Sequence, residues 1–79
     1  MSKYKHYLFD LGFEVKLMAL EAVRERDAQP AGSNEEHYES GRIMAFQWMI
    51  ALMQQSAEGM GIALSDIRLD DIDPDRDVS

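Results

Sequence analysis

The residues best suited to chemistry in this sequence are carboxylates, and one group of them lies close to the C-terminus. Acidic residues alternate with other residues from Asp71 to Asp77 (DIDPDRD), as they do at the start of an EF-hand calcium loop. That loop needs a glycine where this sequence has Arg76, and the chain ends before the glutamate that completes the calcium site. We therefore favour a solvated acidic tail over a calcium site.

A second group of carboxylates, Glu35, Glu36 and Glu39, forms the pattern EExxE. This pattern resembles the opening of the metal-binding motif in the all-α nucleotide pyrophosphohydrolases of the MazG type. The resemblance implies a helical dimer that holds magnesium with carboxylates. In that family an ExxD pattern follows on the next helix. Here the next acidic residue is Glu58, and the residue three positions after it is Gly61.

Two explanations of the EExxE pattern are open. Glu58 is predicted to lie on the same helix as Glu36, about 30 Å away at about 1.5 Å per residue. A metal site would therefore have to combine the glutamates of two protomers. The alternative, which we favour, is an acidic first turn that stabilises the helix dipole. We expect no catalytic residue, no cofactor and no metal, with Glu35, Glu36 and Glu39 as the candidate ligands if a metal binds.

No other residue pattern indicates catalysis. His6 and Asp10 lie one helical turn apart, which predicts a surface pair. No serine lies in a recognised nucleophile motif, and no glycine-rich loop suited to phosphate is present. The sequence therefore favours a non-enzymatic protein.

Composition and charge limit the classes of partner. The chain has 79 residues and a net charge of −7, and its last nineteen residues carry six aspartates against two arginines. No basic patch is present that could neutralise phosphates, so we expect no direct binding to nucleic acid. The acidic C-terminal part suits an unidentified protein with a basic surface.

The sequence also limits the compartment and the number of domains. No apolar run is long enough for a signal peptide or a membrane span. The absence of cysteine excludes disulfides and thiolate metal sites and fits a reducing cytoplasm. We expect a cytoplasmic protein without membrane contact, with one helical-hairpin domain over residues 1–72 and a disordered acidic tail over residues 73–79.

A first helix is predicted over about residues 3–27, with two apolar stripes at helical spacing. The first stripe comprises Tyr4, Tyr7, Leu8, Leu11, Val15, Met18, Ala19 and Ala22. The second stripe comprises Phe9, Phe13, Leu17 and Leu20. Two stripes predict two packing partners. Gly12 is unfavourable inside a helix, which indicates a close approach of another element at that point.

A second helix is predicted over about residues 35–59, after a break that contains Pro30 and Gly32. Ser33 and Glu36 have the spacing of a capping box at its start. Gln47 is the only polar residue from Ile43 to Met53. One flank of this helix comprises Tyr38, Gly41, Ala45, Trp48 and Leu52, and the other comprises Ile43, Phe46, Met49, Ile50, Met53, Ala57 and Met60. A helix that is apolar nearly all round must be surrounded by other helices.

Two glutamines of this helix, Gln47 and Gln54, lie seven positions apart on one face. They either form hydrogen bonds across a bundle seam and set its register, or lie at the solvent edge, which we favour. After the helix, an arm over residues 62–72 alternates aliphatic and polar residues and is expected to dock on the hairpin. We predict that the arm also contributes to partner docking through Ile67, Leu69, Asp70, Asp71 and Ile72.

The predicted fold class is all-α: an antiparallel helical hairpin that pairs into a homodimeric four-helix bundle, with a short C-terminal arm. One hairpin leaves about three aromatic rings exposed, which forgoes on the order of 10 kcal/mol. The alternative is a monomer in which segment 61–72 folds back as a lid. We predict a dimer interface of Phe9, Phe13, Leu17, Leu20, Gly41, Ala45, Phe46, Trp48, Met49, Leu52 and Met53.

The segments 41–46, 53–62 and 70–72 together resemble short proteins of proteobacterial genomes and their prophages. The resemblance implies a bacterial cytoplasmic setting and brings no activity with it. The function that we predict is a non-enzymatic protein–protein interaction or assembly protein that acts as a helical homodimer. The alternatives are a small carboxylate-metal hydrolase and an acidic phage-type inhibitor of a nucleic-acid-binding protein.

Overall fold

Two long antiparallel helices form the body of the protein. The computed structural model describes residues 2–79, so Met1, which opens the predicted domain, lies outside the described residues. The helical elements are α1 (Lys3–Asp27), α2 (Asn34–Gly59), a 3₁₀ turn (Leu64–Ile67) and α3 (Pro74–Asp77). No strand is present among the described residues. The predicted all-α fold with two long helices in a hairpin is confirmed.

The start of α2 is fixed by a capping arrangement close to the predicted one. The Ser33 hydroxyl accepts a hydrogen bond from the Glu36 backbone N–H at 3.1 Å. The Glu36 carboxylate reaches back one residue further than a standard capping box and accepts from the Gly32 N–H at 3.0 Å. Gly32 has a φ of 79°, a left-handed conformation that glycine adopts without steric cost. The connection between the helices is therefore held in one conformation.

The core lies between the two long helices and the C-terminal arm. In α1 the fully buried positions are the small residues Ala19 and Ala22. In α2 the most buried large side chains are Ile43 and Ile50. Small residues on α1 allow a close approach, so that the isoleucines of α2 fill the space between the helices.

The arm after α2 returns along one face of the hairpin and forms a third layer. Its aliphatic side chains Ile67, Leu69 and Ile72 are 5 %, 0 % and 8 % exposed and belong to the same core cluster as the helices. The arm therefore folds back on the hairpin as a cover. It covers one face only.

The last residues are ordered, in contrast to the predicted disorder over residues 73–79. Asp73 caps α3, since its carboxylate accepts from the backbone N–H of Asp75 at 3.0 Å and of Arg76 at 3.4 Å. Val78 is fully buried in the common core. The capping bonds and the burial of Val78 offset the entropy that is lost when this segment becomes ordered. The acidic composition alone does not indicate either contribution.

Gly12 marks the predicted close approach, and the approaching element is the backbone of the arm. A Cβ atom placed on Gly12 would overlap the carbonyl oxygen of Ile67 and lie 2.9 Å from its carbonyl carbon. Any other residue at position 12 would push the 3₁₀ turn away from α1. Gly59, by contrast, has no atom of a neighbouring element within 4 Å of such a Cβ.

Replacement of Gly12 by alanine is expected to destabilise the protein by about 1–3 kcal/mol, because the added methyl group meets rigid backbone. The matched control is Gly59→Ala, which should be neutral or stabilising by about 0.5–1 kcal/mol through its higher helix propensity. Urea unfolding followed by circular dichroism measures both changes. Equal stability of the two variants would contradict the seating of the arm on Gly12.

Candidate interaction surface

Glu36 and Glu39 of the EExxE pattern bind groups of their own chain, and the three glutamates do not converge. Glu35 is exposed, and Glu36 caps α2. Glu39 is 8 % exposed and accepts from the Arg42 guanidinium at 2.7 Å. Across residues 2–79 no group of three or more histidines, aspartates or glutamates has the geometry to hold a metal ion.

Arg42 links the two long helices through the glutamates beside it. Its guanidinium donates to Glu25 of α1 at 3.0 Å as well as to Glu39 of α2. The hydrogen bond to Glu25 and the charge of Glu39 raise the pKa of Arg42 above its usual value. The buried carboxylate of Glu39 is therefore paired, and this part of α2 faces its own chain.

The two glutamines of α2 hold the segments that follow this helix: Gln54 holds the arm and Gln47 holds the start of α3. This role differs from both predictions, hydrogen bonds across a bundle seam and a position at the solvent edge. The Gln54 amide donates to the backbone carbonyls of Leu69 at 3.1 Å and Ile72 at 2.9 Å. Gln47 donates to the carbonyl of Pro74 at 3.3 Å. Their seven-residue spacing correctly indicated a common face, but nothing local in sequence identified the irregular backbone of the arm as the acceptor.

Arg68 covers the two phenylalanines that were predicted to lie in the dimer interface. Its guanidinium lies 4.8 Å from the ring centre of Phe9 and 4.5 Å from that of Phe13. A guanidinium over an aromatic face contributes about 0.5–2 kcal/mol. Arg68 also has a left-handed backbone, with a φ of 59°. The arm therefore packs on the stripe at Phe9 and Phe13, and both rings are half-buried by their own chain.

The remaining predicted interface residues divide by exposure. Leu20, Phe46 and Met53 are half-buried against the core of their own chain. Leu17 is 43 % exposed on the outer side of α1. The residues of the predicted set that lie exposed on α2 are Gly41, Ala45, Trp48, Met49 and Leu52.

The residues predicted for partner docking on the arm are also divided. Ile67, Leu69 and Ile72 are buried in the core of their own chain, because the alternation of the arm directs its aliphatic side chains toward the hairpin. In this fold they cannot contact a partner. Asp70 and Asp71 of the same set are exposed.

An ion pair fastens the arm to α1. The Lys16 ammonium donates to the Asp71 carboxylate at 2.8 Å, and the Lys16 side chain is only 9 % exposed. This hydrogen bond, together with the positive charge of Lys16, lowers the pKa of Asp71 below its usual value of 3.8. Sequence gave no signal for this pair, whose members are 55 positions apart.

The charged residues of α2 lie on the side that faces the protein's own chain. With buried Ile50 as the reference direction and about 100° per residue, all of them lie within about 80° of Ile50. These residues are Glu35, Glu36, Glu39, Arg42 and Glu58. The opposite half of the helix carries no charged side chain, which reverses the usual pattern of a surface helix.

The uncharged outer side of α2 carries large exposed apolar residues. We call Tyr38, Gly41, Ala45, Trp48 and Leu52 the outer stripe. Tyr38, Trp48 and Leu52 are 66 %, 67 % and 64 % exposed. The stripe lies roughly opposite to Gln47 and Gln54, which hold the arm, and so faces away from it.

Apolar residues of α1 extend this surface. Tyr4, Tyr7, Leu11 and Met18 lie roughly opposite to the arm-covered Phe9 and Phe13 on the helix wheel. Their exposed fractions are 73 %, 65 %, 38 % and 47 %, respectively. We call these four residues, the outer stripe and Met49 together the open face. At one end a shallow apolar groove of about 250 Å³ opens between Leu8, Met53 and Met60.

Comparison of the chain with protein-family models, curated proteins and solved structures gave no match. The resemblance to short proteobacterial and prophage proteins therefore stays a prediction. Among the described residues, neither long helix has the length and apolar character that a membrane span requires.

The ion pair between Lys16 and Asp71 predicts a pH dependence. Because the pKa of Asp71 is lowered in the folded protein, its contribution to stability is present above the unfolded value of about 3.8 and is lost as the pH falls through the folded value. Asp71→Asn should therefore lower the melting temperature at pH 7, and the difference from the wild type should shrink below about pH 3.8.

Asp70→Asn is the matched control for this experiment, since it removes the same charge from the neighbouring exposed position. Melting curves recorded by circular dichroism between neutral and acid pH give the comparison. If both variants melt with the same pH profile, Asp71 does not fasten the arm.

Proposed function

We propose that this protein is a non-enzymatic protein–protein interaction or assembly protein, and that it acts as a homodimer. Two hairpins pair through their open faces, which gives a bundle of four long helices with α2 innermost. The observation that carries the proposal is the orientation of α2. Its charged side chains lie on the half that faces its own chain, and its exposed half carries no charged side chain and several large apolar ones.

The size of the open face supports a stable dimer. Its large side chains expose on the order of 1,000 Å² per protomer, when each counts about 150–250 Å² at full exposure. A standard protein–protein interface buries about 800 Å² on each partner. A monomer seldom exposes an apolar patch of more than about 600 Å². Burial against a second copy removes this surface from water.

The described segments that follow α2 cover the opposite side of the hairpin. The apolar side chains Ile67, Leu69 and Ile72 of the arm, and Val78 after α3, are buried on that side. Trp48 remains 67 % exposed with the arm in place. The arm therefore folds back over Phe9 and Phe13, as the monomer alternative predicts, but it leaves the open face uncovered.

The setting that we propose is the bacterial cytoplasm. Its basis is the absence of cysteine in the sequence and the resemblance to short proteobacterial and prophage proteins. An assembly role fits the way in which the polar side chains of α2 are used. Glu36, Glu39 and Gln54 all bind groups of their own chain, so they stabilise the fold and do not form a reactive site.

Leu52→Glu is expected to convert the dimer to a monomer. Each copy loses the burial of one leucine, worth about 1.5–3 kcal/mol. The dissociation constant should therefore rise at least about 100-fold, since about 1.4 kcal/mol corresponds to a factor of ten. Sedimentation velocity over a range of micromolar concentrations measures the change.

The matched control is Leu17→Glu, the same substitution at a leucine of α1 that is exposed but does not belong to the open face. This variant should remain a dimer, and both variants should keep the helix content of the wild type. A wild-type protein that sediments as a folded monomer at micromolar concentration would refute the homodimer.

A second candidate function is suggested by the order of the acidic arm. Asp66 and Asp70 are exposed on the arm and Asp75 is exposed on α3, so the backbone that carries their charges is ordered. An inhibitor that presents ordered carboxylates to a basic, nucleic-acid-binding protein needs such a surface. This candidate would act beside the dimer, because the arm and the open face lie on opposite sides of the hairpin.

The second candidate predicts a host protein that is retained at low salt and released at high salt. Replacement of Asp66, Asp70 and Asp75 by asparagine should abolish its capture, whereas Leu52→Glu should leave capture intact. Affinity purification from the host, with all three proteins in parallel, is the measurement. Equal capture by the triple variant would end this proposal.

A further inference from the structure

The residues of the outer stripe are spaced so that they lie along one face of α2. Its members, Tyr38, Gly41, Ala45, Trp48 and Leu52, follow one another at intervals of three, four, three and four residues. This is the period of a single helix face, and the stripe extends for about 21 Å at about 1.5 Å per residue. No charged side chain interrupts it.

The sizes of these residues are complementary to the same stripe read in the opposite direction. Tyr38 and Leu52 each lie seven positions from Ala45, on either side of it. Gly41 lies four positions before Ala45, and Trp48 lies three positions after it. An antiparallel pair centred on Ala45 therefore places Tyr38 opposite Leu52, and it places Trp48 within one residue, or about 1.5 Å along the axis, of the position opposite Gly41.

We infer that the second copy docks antiparallel on α2, with Ala45 at the two-fold axis and each Trp48 packed over the other copy's Gly41. This inference rests on the proposed homodimer and specifies its register. A two-fold interface is self-complementary, since residue i meets residue j and j meets i. The outer stripe meets this condition at its Tyr38–Leu52 pair, and it meets it to within one residue at its Gly41–Trp48 pair.

A parallel pair would fit poorly with the same residues. It would place Trp48 against Trp48 and Gly41 against Gly41, so that one level is overfilled and the other is left empty. Close packing requires large residues to face small ones. Ala45 and Gly41 allow the two backbones to approach closely, and Gly41 has open space where a Cβ would lie. An antiparallel pair also aligns the two helix dipoles favourably.

Cysteine cross-linking tests the register directly, because the natural chain has no cysteine. A short bis-maleimide links two cysteines only when they lie close together. Ala45→Cys should be linked to itself across the axis. Leu52→Cys alone should not be linked, because its two copies lie about 21 Å apart in the antiparallel register.

An equal mixture of Tyr38→Cys and Leu52→Cys should be linked, since these positions face each other. The linked fraction should exceed that of Leu52→Cys alone by at least about tenfold, because the facing thiols have a high effective concentration. Circular dichroism checks that each variant folds. If Ala45→Cys does not fold, the mixture still tests the register.

The outcomes separate the register from the proposed function. A wild-type protein that sediments as a dimer, with Leu52→Cys linked to itself as readily as Ala45→Cys, would overturn the antiparallel register and keep the homodimer. A dimer in which Ala45→Cys is not linked would overturn the α2 contact alone. A folded wild-type monomer without links at any position would overturn both proposals and leave the open face to a different protein.

Discussion

The docking of the arm on one face of the hairpin is the contact on which the rest of the structure depends. It is a contact of backbone on backbone, because the carbonyl of Ile67 rests where Gly12 has no side chain. Arg68, Lys16 and Gln54 then fasten the same segment through cation–π contact, ion pairing and hydrogen bonds. With the arm on this face, apolar side chains on the opposite face, such as Trp48 and Leu52, remain exposed. The position of the arm therefore decides which residues can meet a partner.

Several polar side chains of α2 are bound within their own chain. Glu36 completes the helix cap, Glu39 and Arg42 neutralise each other, and Gln54 binds the arm. Glu39 and Gln54 thereby satisfy partners that are buried or half-buried, where an unpaired polar atom would be costly. The other half of α2 carries no charged side chain and exposes large apolar ones. A helix with this arrangement stabilises its own chain with one side and can bind another helix with the other.

Much of the local structure could be predicted from the sequence. The two long helices follow from three- and four-residue apolar spacing, the start of α2 from Ser33 and Glu36, and the close approach from Gly12. The order of residues 73–79 could not, because Asp73 acts as a cap and Val78 as a core residue only when the arm is in place. The acidic composition of this segment, taken alone, is typical of a disordered tail.

The sequence by itself determined that α1 has two apolar stripes, that α2 is apolar nearly all round, and that one hairpin cannot bury both. Only the tertiary structure decided that Phe9 and Phe13 lie under the arm while Leu11 and Met18 remain on the open face. The physical reason is that both stripes are apolar, so hydrophobic patterning alone does not say which one the arm covers. The choice is made by contacts between residues far apart in the chain, such as Gly12 with Ile67 and Lys16 with Asp71.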